Sequence, residues 1–147
     1  MINDAAVKAG IARDFAVARK LRNEWNIVRM IPGGGAVQVS PSEEFYNLPL
    51  VLAYGVLGSA LAQMAQEGMF PWPTNAQGDR ISNPSIGHYI VASRRCGQPA
   101  WVDFSTVAVA GLDARNKVAH EGVLHAKALC VGYIDAVEAE LRAWKLL

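Results

Sequence analysis

The chain has 147 residues, 52% of them hydrophobic, and a formal net charge of +1 at pH 7. This length and composition suffice for the core of one domain, so we expect a single domain over residues 1–147. A charge so close to neutral argues against a protein that covers a whole nucleic-acid groove, although it leaves room for a small anionic site. The basic surplus is local: residues 1–30 and residues 80–127 each hold six Lys and Arg against three Asp and Glu.

The cysteines and the first residues bear on the cellular compartment. Cys96 and Cys130 lie far apart in the sequence and form no CxxC pair, which argues against a disulfide framework or a structural zinc site. The opening residues include Asp4 and lack an apolar stretch of signal-peptide length. The sequence therefore predicts a cytoplasmic protein.

The first predicted element is an amphipathic helix that ends near Arg29. Pro32 and the three glycines that follow it cannot extend the helix. The triplet Gly33–Gly35 lacks the Lys-Ser/Thr of a phosphate-binding loop, so we interpret it as a connector rather than a nucleotide site. The apolar face recurs at alternating steps of four and three, with Asp14 as the polar exception; its members are Val7, Ile11, Ala18, Leu21, Trp25 and Val28.

A second helix is predicted over residues 40–68. Ser40, Pro41 and Glu43 fit the N-cap, the first helical position and the capping-box partner. Pro49 is expected to kink this helix, because proline removes a backbone donor and clashes with the preceding turn.

Residues 45–66 of this helix contain no charged side chain, which by length fits a membrane span. Polar residues inside the run and the lack of flanking aromatic or basic anchors favour a buried core helix instead. Four small residues would let another helix approach closely, in the bundle or across a dimer. They are Gly55, Gly58, Ser59 and Ala62.

Three further helices are predicted after a proline-rich surface loop over residues 69–84. The first is short and closed by Gly97, and a longer one starts near Trp101. The last helix starts near Gly122, with Lys127 as the exception in its apolar stripe. That stripe consists of Val123, Cys130, Ile134, Val137, Leu141 and Trp144. The chain is thus predicted to be all-α, an antiparallel bundle of four main helices plus one short helix.

The fourth predicted helix, which starts near Trp101, loses its apolar pattern where it ends. Its stripe of Trp101, Phe104, Ala108 and Leu112 continues with Arg115, and the adjacent line holds Val109, Asp113, Asn116 and His120. A buried guanidinium is costly unless it is paired or hydrated, so we expect a functional reason for Arg115. On a straight α-helix the directions of Arg115 and His120 differ by about 140°. Their convergence therefore requires a bend near Gly122 or a second copy of the chain.

Plainer explanations cover most other polar residues in this region. His120 and His125 are five residues apart, whereas the zinc motif HExxH needs a spacing of four. Cys130 falls on an apolar stripe and is expected to be buried and inert. Asp113 and Lys117 fit a surface ion pair. A single histidine at a helix end most simply complements the helix dipole, but His120 has polar companions.

The segment from Arg115 to His120, RNKVAH, resembles the RxxxxH motif of the HEPN superfamily, including the polar residue after the arginine, here Asn116. The resemblance implies an all-α, commonly dimeric domain, and for many members a metal-independent RNA endonuclease of toxin, phage-defence or RNA-processing systems. For this chain it implies Arg115 and His120 as catalytic residues and Asn116 as a positioning residue. It also implies an RNA substrate, a homodimer and a separate antitoxin protein, with no cofactor, metal or membrane.

These residue types suit RNA cleavage without a metal. His120 is expected to move a proton of the ribose 2′-hydroxyl, and Arg115 to hold the charge that grows on the phosphate, which gives a 2′,3′-cyclic phosphate. Asn116 would orient the ring of His120 or bind the ribose. Two alternatives remain: a non-catalytic HEPN-like helical dimer that serves as a binding or scaffolding module, and a membrane-associated protein built on residues 45–66.

Overall fold

The computed structural model describes residues 2–23 and 27–147. This part of the chain is mainly helical, as the sequence predicts, and it also contains a small two-stranded sheet that we did not predict. A 3-10 turn, Glu43–Tyr46, precedes α2, and π-helical turns, Ser105–Gly111 and Lys117–Glu121, flank α4. The regular elements are α1 Ala5–Asn23, β1 Ile27–Ile31, β2 Gly35–Val39, α2 Asn47–Gln66, α3 Ile86–Cys96, α4 Leu112–Asn116 and α5 Lys127–Ala143.

Helix α2 is the central element of the core. It packs against α1, α3 and α5, and more than half of its residues are buried. Leu57 on α2, Phe15 on α1 and Ile134 on α5 are completely shielded from solvent; full burial of such side chains stabilises a fold by about 1.5–3 kcal/mol each. The prediction of a buried core helix is therefore confirmed.

The same helix remains apolar enough to cross a membrane by length and composition. That stretch is Glu43–Gln66, and half of its most apolar window is buried inside the protein. This burial is typical of a core helix in a soluble protein.

The small residues of α2 have unequal roles in helix packing. A Cβ on Gly58 would lie 2.8 Å from Ile86, whereas one on Gly55 would meet nothing within 4 Å. Close packing thus depends on Gly58.

Helix α1 is shorter than predicted. It ends at Asn23 instead of continuing to Arg29, and Trp25 lies outside the described residues. Its buried face consists of Ile11, Phe15 and Ala18, which leaves Asp14 exposed. Val28, which the apolar spacing assigns to this helix, therefore belongs to a different element.

That element is a β-hairpin. β1 and β2 pair antiparallel, with Ile27 opposite Val39 and Ile31 opposite Gly35. Gly33 and Gly34 in the turn have φ angles of 108° and 97°, a conformation that glycine adopts without steric cost. The glycine triplet is thus a connector, as predicted, but it joins two strands. β-branched residues before and after this turn favour a hairpin over a helix.

The start of the second helix also differs from the prediction. Helical structure begins at Glu43 with Ser42 as the N-cap residue, rather than at Ser40, and the Ser42 side chain makes no capping hydrogen bond. Pro49 lies in the first turn of α2, where its missing N–H has no helical partner to lose. The sequence predicts a kink at Pro49. The change in helix geometry lies earlier instead, where the 3-10 turn is followed by α2.

The predicted loop and the short helix after it are confirmed. Ser85 caps α3, and Gly97 ends it with a φ of 70°. Helix α5, in contrast, begins at Lys127 instead of Gly122, and Val123 is 43% exposed. Gly122 adopts a positive φ of 68°, so it ends the preceding helical segment and cannot start the next.

Candidate functional site

One continuous helical segment, residues 105–121, carries the predicted site; we call it the motif helix. Its two π-helical turns join α4 at Leu112 and Lys117, both with right-handed helical backbone angles. A buried carboxylate fixes its beginning, because Glu140 accepts hydrogen bonds from the amides of Val102 and Asp103 at 2.7–2.9 Å. Gly122 ends it, and the Gly122 amide donates to the carbonyl of Lys117, five residues back.

The second π turn changes the angle between the directions in which Arg115 and His120 leave the helix axis. On an ideal α-helix Arg115 and His120 would point about 140° apart. A π turn contains more residues than an α turn, so each residue rotates less about the axis and the angle becomes smaller. The widened turn over Lys117–Glu121 therefore brings the two directions closer, an arrangement that we did not predict. Such π turns occur often at functional sites.

Tyr54 supports the first π turn. Its hydroxyl is buried and donates to the carbonyl of Val107 at 2.8 Å. A Cβ on Gly111 would overlap this hydroxyl oxygen, so the glycine leaves the space that Tyr54 fills. Burial raises the pKa of Tyr54 well above its ordinary value of 10.0, which keeps the hydroxyl protonated as a donor. A side chain that hydrogen-bonds to the backbone of a helix can interrupt the regular i→i−4 hydrogen bonds at that point.

Arg115 is half-buried at the end of α4. Its Nη1 donates to the side-chain oxygen of Asn116 at 2.9 Å, which holds the guanidinium in one orientation. Its Nε is buried and has no acceptor among the described residues. A buried donor without an acceptor costs about 1–3 kcal/mol. The same holds for the Nε of Arg19 and of Arg22, so this feature is not special to Arg115. The planar fork of an arginine side chain matches the oxygens of a phosphate.

His120 is exposed in the last turn of the motif helix, and its ring makes no hydrogen bond to another described residue. Asn116 directs its side-chain oxygen to Arg115, so in this structure it positions the arginine rather than the histidine ring. No hydrogen bond joins Arg115 to His120. The structure thus places all three predicted residues on the last two turns of one helix but pairs only the first two.

Two residues that we did not predict hold the motif helix in place. The buried side chain of Asn47 accepts from the amide of His125 and donates to its carbonyl, both at 2.9 Å. The ring of His125 then lies 3.1 Å, through Nε2, from the carbonyl of Ala114. A carbonyl only accepts, so this contact requires the proton on Nε2. The pair therefore fixes the residue that directly precedes Arg115.

The sequence contained a weak signal for Asn47 only. It is an amide in a long uncharged run, and such a residue, when buried, needs hydrogen-bond partners. His125 gave no comparable signal, because its partners lie 78 positions away in Asn47 and 11 away in Ala114.

The predictions of an Asp113–Lys117 ion pair and of a buried Cys130 are confirmed. Lys117 Nζ lies 2.8 Å from Asp113 Oδ2, and both side chains are largely exposed; this hydrogen bond raises the pKa of Lys117 above its ordinary value. Both cysteines are free. Burial raises the pKa of the Cys130 thiol to about 11, so little of it is the reactive thiolate at neutral pH. No three metal-ligating side chains cluster within the described ranges.

Comparisons with protein-family models, curated proteins and solved structures find no match to this chain. Its chemistry is therefore inferred from the site itself. A guanidinium that a neighbouring amide orients can bind an anion, and an exposed imidazole on the next turn of the same helix can accept or donate a proton.

Proposed function

We propose that this chain is a HEPN-like ribonuclease that cleaves RNA without a metal ion. The observation that carries the proposal is the position of Arg115, whose guanidinium Asn116 orients, and of the exposed His120 on the last two turns of one helix. A phosphodiester would accept from the charged guanidinium. The widened turn that follows makes the angle between the directions of Arg115 and His120 smaller than on an α-helix.

The chemistry requires only these groups and the substrate. His120 accepts the proton of the ribose 2′-hydroxyl, and the 2′-oxygen attacks the adjacent phosphorus. The phosphorus–O5′ bond breaks, the protonated ring of His120 gives this proton to the leaving oxygen, and the products are a 2′,3′-cyclic phosphate and a 5′-hydroxyl. Arg115 stabilises the additional negative charge on the phosphoryl oxygens during the attack.

A homodimer is part of this proposal. Apolar side chains near the motif helix are exposed, among them Val109 at 57% and Leu124 at 55%. A second copy of the chain packed there would cover them and could provide the group that orients the ring of His120. We further propose a cytoplasmic toxin or defence effector with a HEPN-like four-helix arrangement, restrained by an antitoxin protein.

The test is RNA cleavage by purified protein in excess EDTA. Arg115→Ala and His120→Ala are each expected to lower the rate by at least about 100-fold with unchanged helical content. Lys117→Ala is the matched control, because it removes an exposed cation from the same helix, and it should retain activity within about three-fold. Equal rates in the wild type and both variants would reject the assignment.

A second candidate function is a non-catalytic helical dimer that binds or scaffolds a partner. The observation that favours it is His120, whose ring no described residue orients. This function predicts no cleavage by the wild type and a loss of dimerisation in Arg115→Ala and His120→Ala.

A further inference from the structure

A concave site lies away from the motif helix, between α3 and the loop that precedes it. Its volume is about 410 Å³, within the range of small-molecule sites. Arg115, Asn116 and His120 do not line it. Its walls include Trp72, Pro73, His88, Val91, Arg95 and Cys96.

The aromatic wall of this cavity is held rigidly. The indole N–H of Trp72 donates to the carbonyl of Ile81 at 2.8 Å. The ring packs edge-on against Tyr89 at 5.6 Å, and the guanidinium of Arg80 lies 5.1 Å from its centre. With three partners, Trp72 has little conformational freedom to lose when a ligand binds.

The polar residues that line the cavity include hydrogen-bond donors. The amide of Ser85 donates to Nδ1 of His88 at 3.0 Å as part of the cap of α3. In the neutral ring the proton must then reside on Nε2, so His88 offers a donor. Arg95 adds a charged guanidinium to the same wall. None of the described residues that line the cavity is Asp or Glu.

We propose that this cavity binds a small anion with a flat apolar body, such as an aromatic carboxylate or a mononucleotide. The flat body would lie against Trp72 and Val91, and the anionic group would accept from Arg95 and His88. A guanidinium and a neutral donor without a nearby carboxylate favour a negative ligand. The binding site is independent of the RNA-cleavage proposal, because the two share no residue.

Cys96 provides a readout at the cavity itself. It lines the cavity and is exposed, whereas Cys130 is buried. The probe is 8-anilinonaphthalene-1-sulfonate, and its control is N-phenyl-1-naphthylamine, which has the same rings without the sulfonate. The rate of Cys96 alkylation by iodoacetamide is measured with and without each compound. For each protein, the rate with a compound is divided by the rate without it. This ratio corrects for any effect of a substitution on the reactivity of the Cys96 thiol.

We expect the sulfonate to slow the alkylation of Cys96 and the neutral compound to protect it much less. Arg95→Met should weaken protection by the sulfonate about ten-fold, as expected for loss of one charged hydrogen bond. Arg94→Met is the matched control, since Arg94 lies over Phe104 at 4.5 Å outside this cavity, and it should leave protection unchanged.

Competition experiments identify the chemical class of the ligand. Displacement of the sulfonate by 2-naphthoate indicates an aromatic carboxylate, and displacement by adenosine monophosphate indicates a nucleotide. Three results would overturn the proposal: no protection of Cys96 in the wild type, equal protection by the neutral compound, or a sulfonate that neither acid displaces.

Discussion

The side chain of Asn47 and the backbone of His125 form a closed pair of hydrogen bonds, each 2.9 Å long. Asn47 begins α2, and His125 lies in the non-helical segment between the motif helix and α5. Asn47 Nδ2 also donates to the carbonyl of Glu44 at 2.9 Å. One buried amide thus joins the start of the central helix to the segment that follows RNKVAH.

The first prediction is that Asn47→Ala destabilises the fold. The substitution leaves the amide and the carbonyl of His125 without their side-chain partner, so the free energy of unfolding should fall by about 2 kcal/mol. Urea unfolding followed by circular dichroism measures it. Asn83→Ala removes an exposed asparagine and should change stability by less than about 0.5 kcal/mol. An Asn47→Ala protein as stable as this control would show that the pair is not structural.

The second prediction separates two histidines of the same region. His125→Ala loses the hydrogen bond to the carbonyl of Ala114 and should cost about 1 kcal/mol of stability. His120→Ala removes an exposed ring and should alter stability by less than about 0.5 kcal/mol. The two unfolding curves are compared in one buffer. The account of His125 as a structural residue fails if the order is reversed.

The third prediction concerns the packing of Tyr54 against Gly111. Gly111→Ala would place a methyl group on the Tyr54 hydroxyl and should destabilise by about 1–3 kcal/mol. Gly55→Ala is the matched control, because its Cβ meets nothing within 4 Å, and it should stabilise by about 0.5–1 kcal/mol.

A double-mutant cycle then tests the cause of that effect. If Tyr54 is responsible, Gly111→Ala should cost less in a Tyr54→Phe background, where the hydroxyl is absent. An unchanged cost in both backgrounds would assign the clash to other neighbours of Gly111.

The fourth prediction is a pH dependence that arises from Glu138. Burial raises the pKa of this carboxyl, but hydrogen bonds from Arg142 at 2.7 Å and Arg19 at 2.9 Å outweigh burial, so the pKa lies below 4.5. The folded state therefore binds fewer protons than the unfolded state as pH falls through 4.5. The stability from Glu138 is fully present above that pH and is lost below it.

Glu138→Gln should accordingly cost about 0.5–1 kcal/mol at pH 7, and the difference from wild type should shrink as pH falls below 4.5. Urea unfolding at pH 7 and at a series of acidic pH values measures this. Glu121→Gln, an exposed carboxylate, serves as the control. A difference between Glu138→Gln and wild type that stays constant with pH would contradict the assignment.

The helices that bury a continuous apolar face could be predicted from the sequence. The polar residues within residues 45–66 and the lack of flanking anchors indicate a core helix rather than a membrane span, and Gly97 predicts the end of α3 correctly. The β-hairpin could not be found, because Val28 continued the helical spacing by coincidence. A short strand carries too few residues for its alternation to compete with such a pattern.

The sequence indicates which residues form the candidate site but not how they are arranged. Arg115, Asn116 and His120 lie within six positions, so one helix carries all three. The π turn over Lys117–Glu121 could not be predicted, since it depends on backbone hydrogen bonds that no residue type specifies. The contacts of Asn47 and His125 join positions distant in the sequence, so spacing could not indicate them.

The most direct test of the proposed function is the mass of the products from one RNA oligonucleotide in EDTA. The wild type is expected to yield fragments with a 2′,3′-cyclic phosphate and a 5′-hydroxyl, and to leave the fully 2′-O-methylated oligonucleotide intact. Arg115→Ala and His120→Ala should yield no fragments. Fragments from the methylated oligonucleotide, or from either variant at the wild-type rate, would contradict the proposal that Arg115 and His120 promote attack by the 2′-hydroxyl.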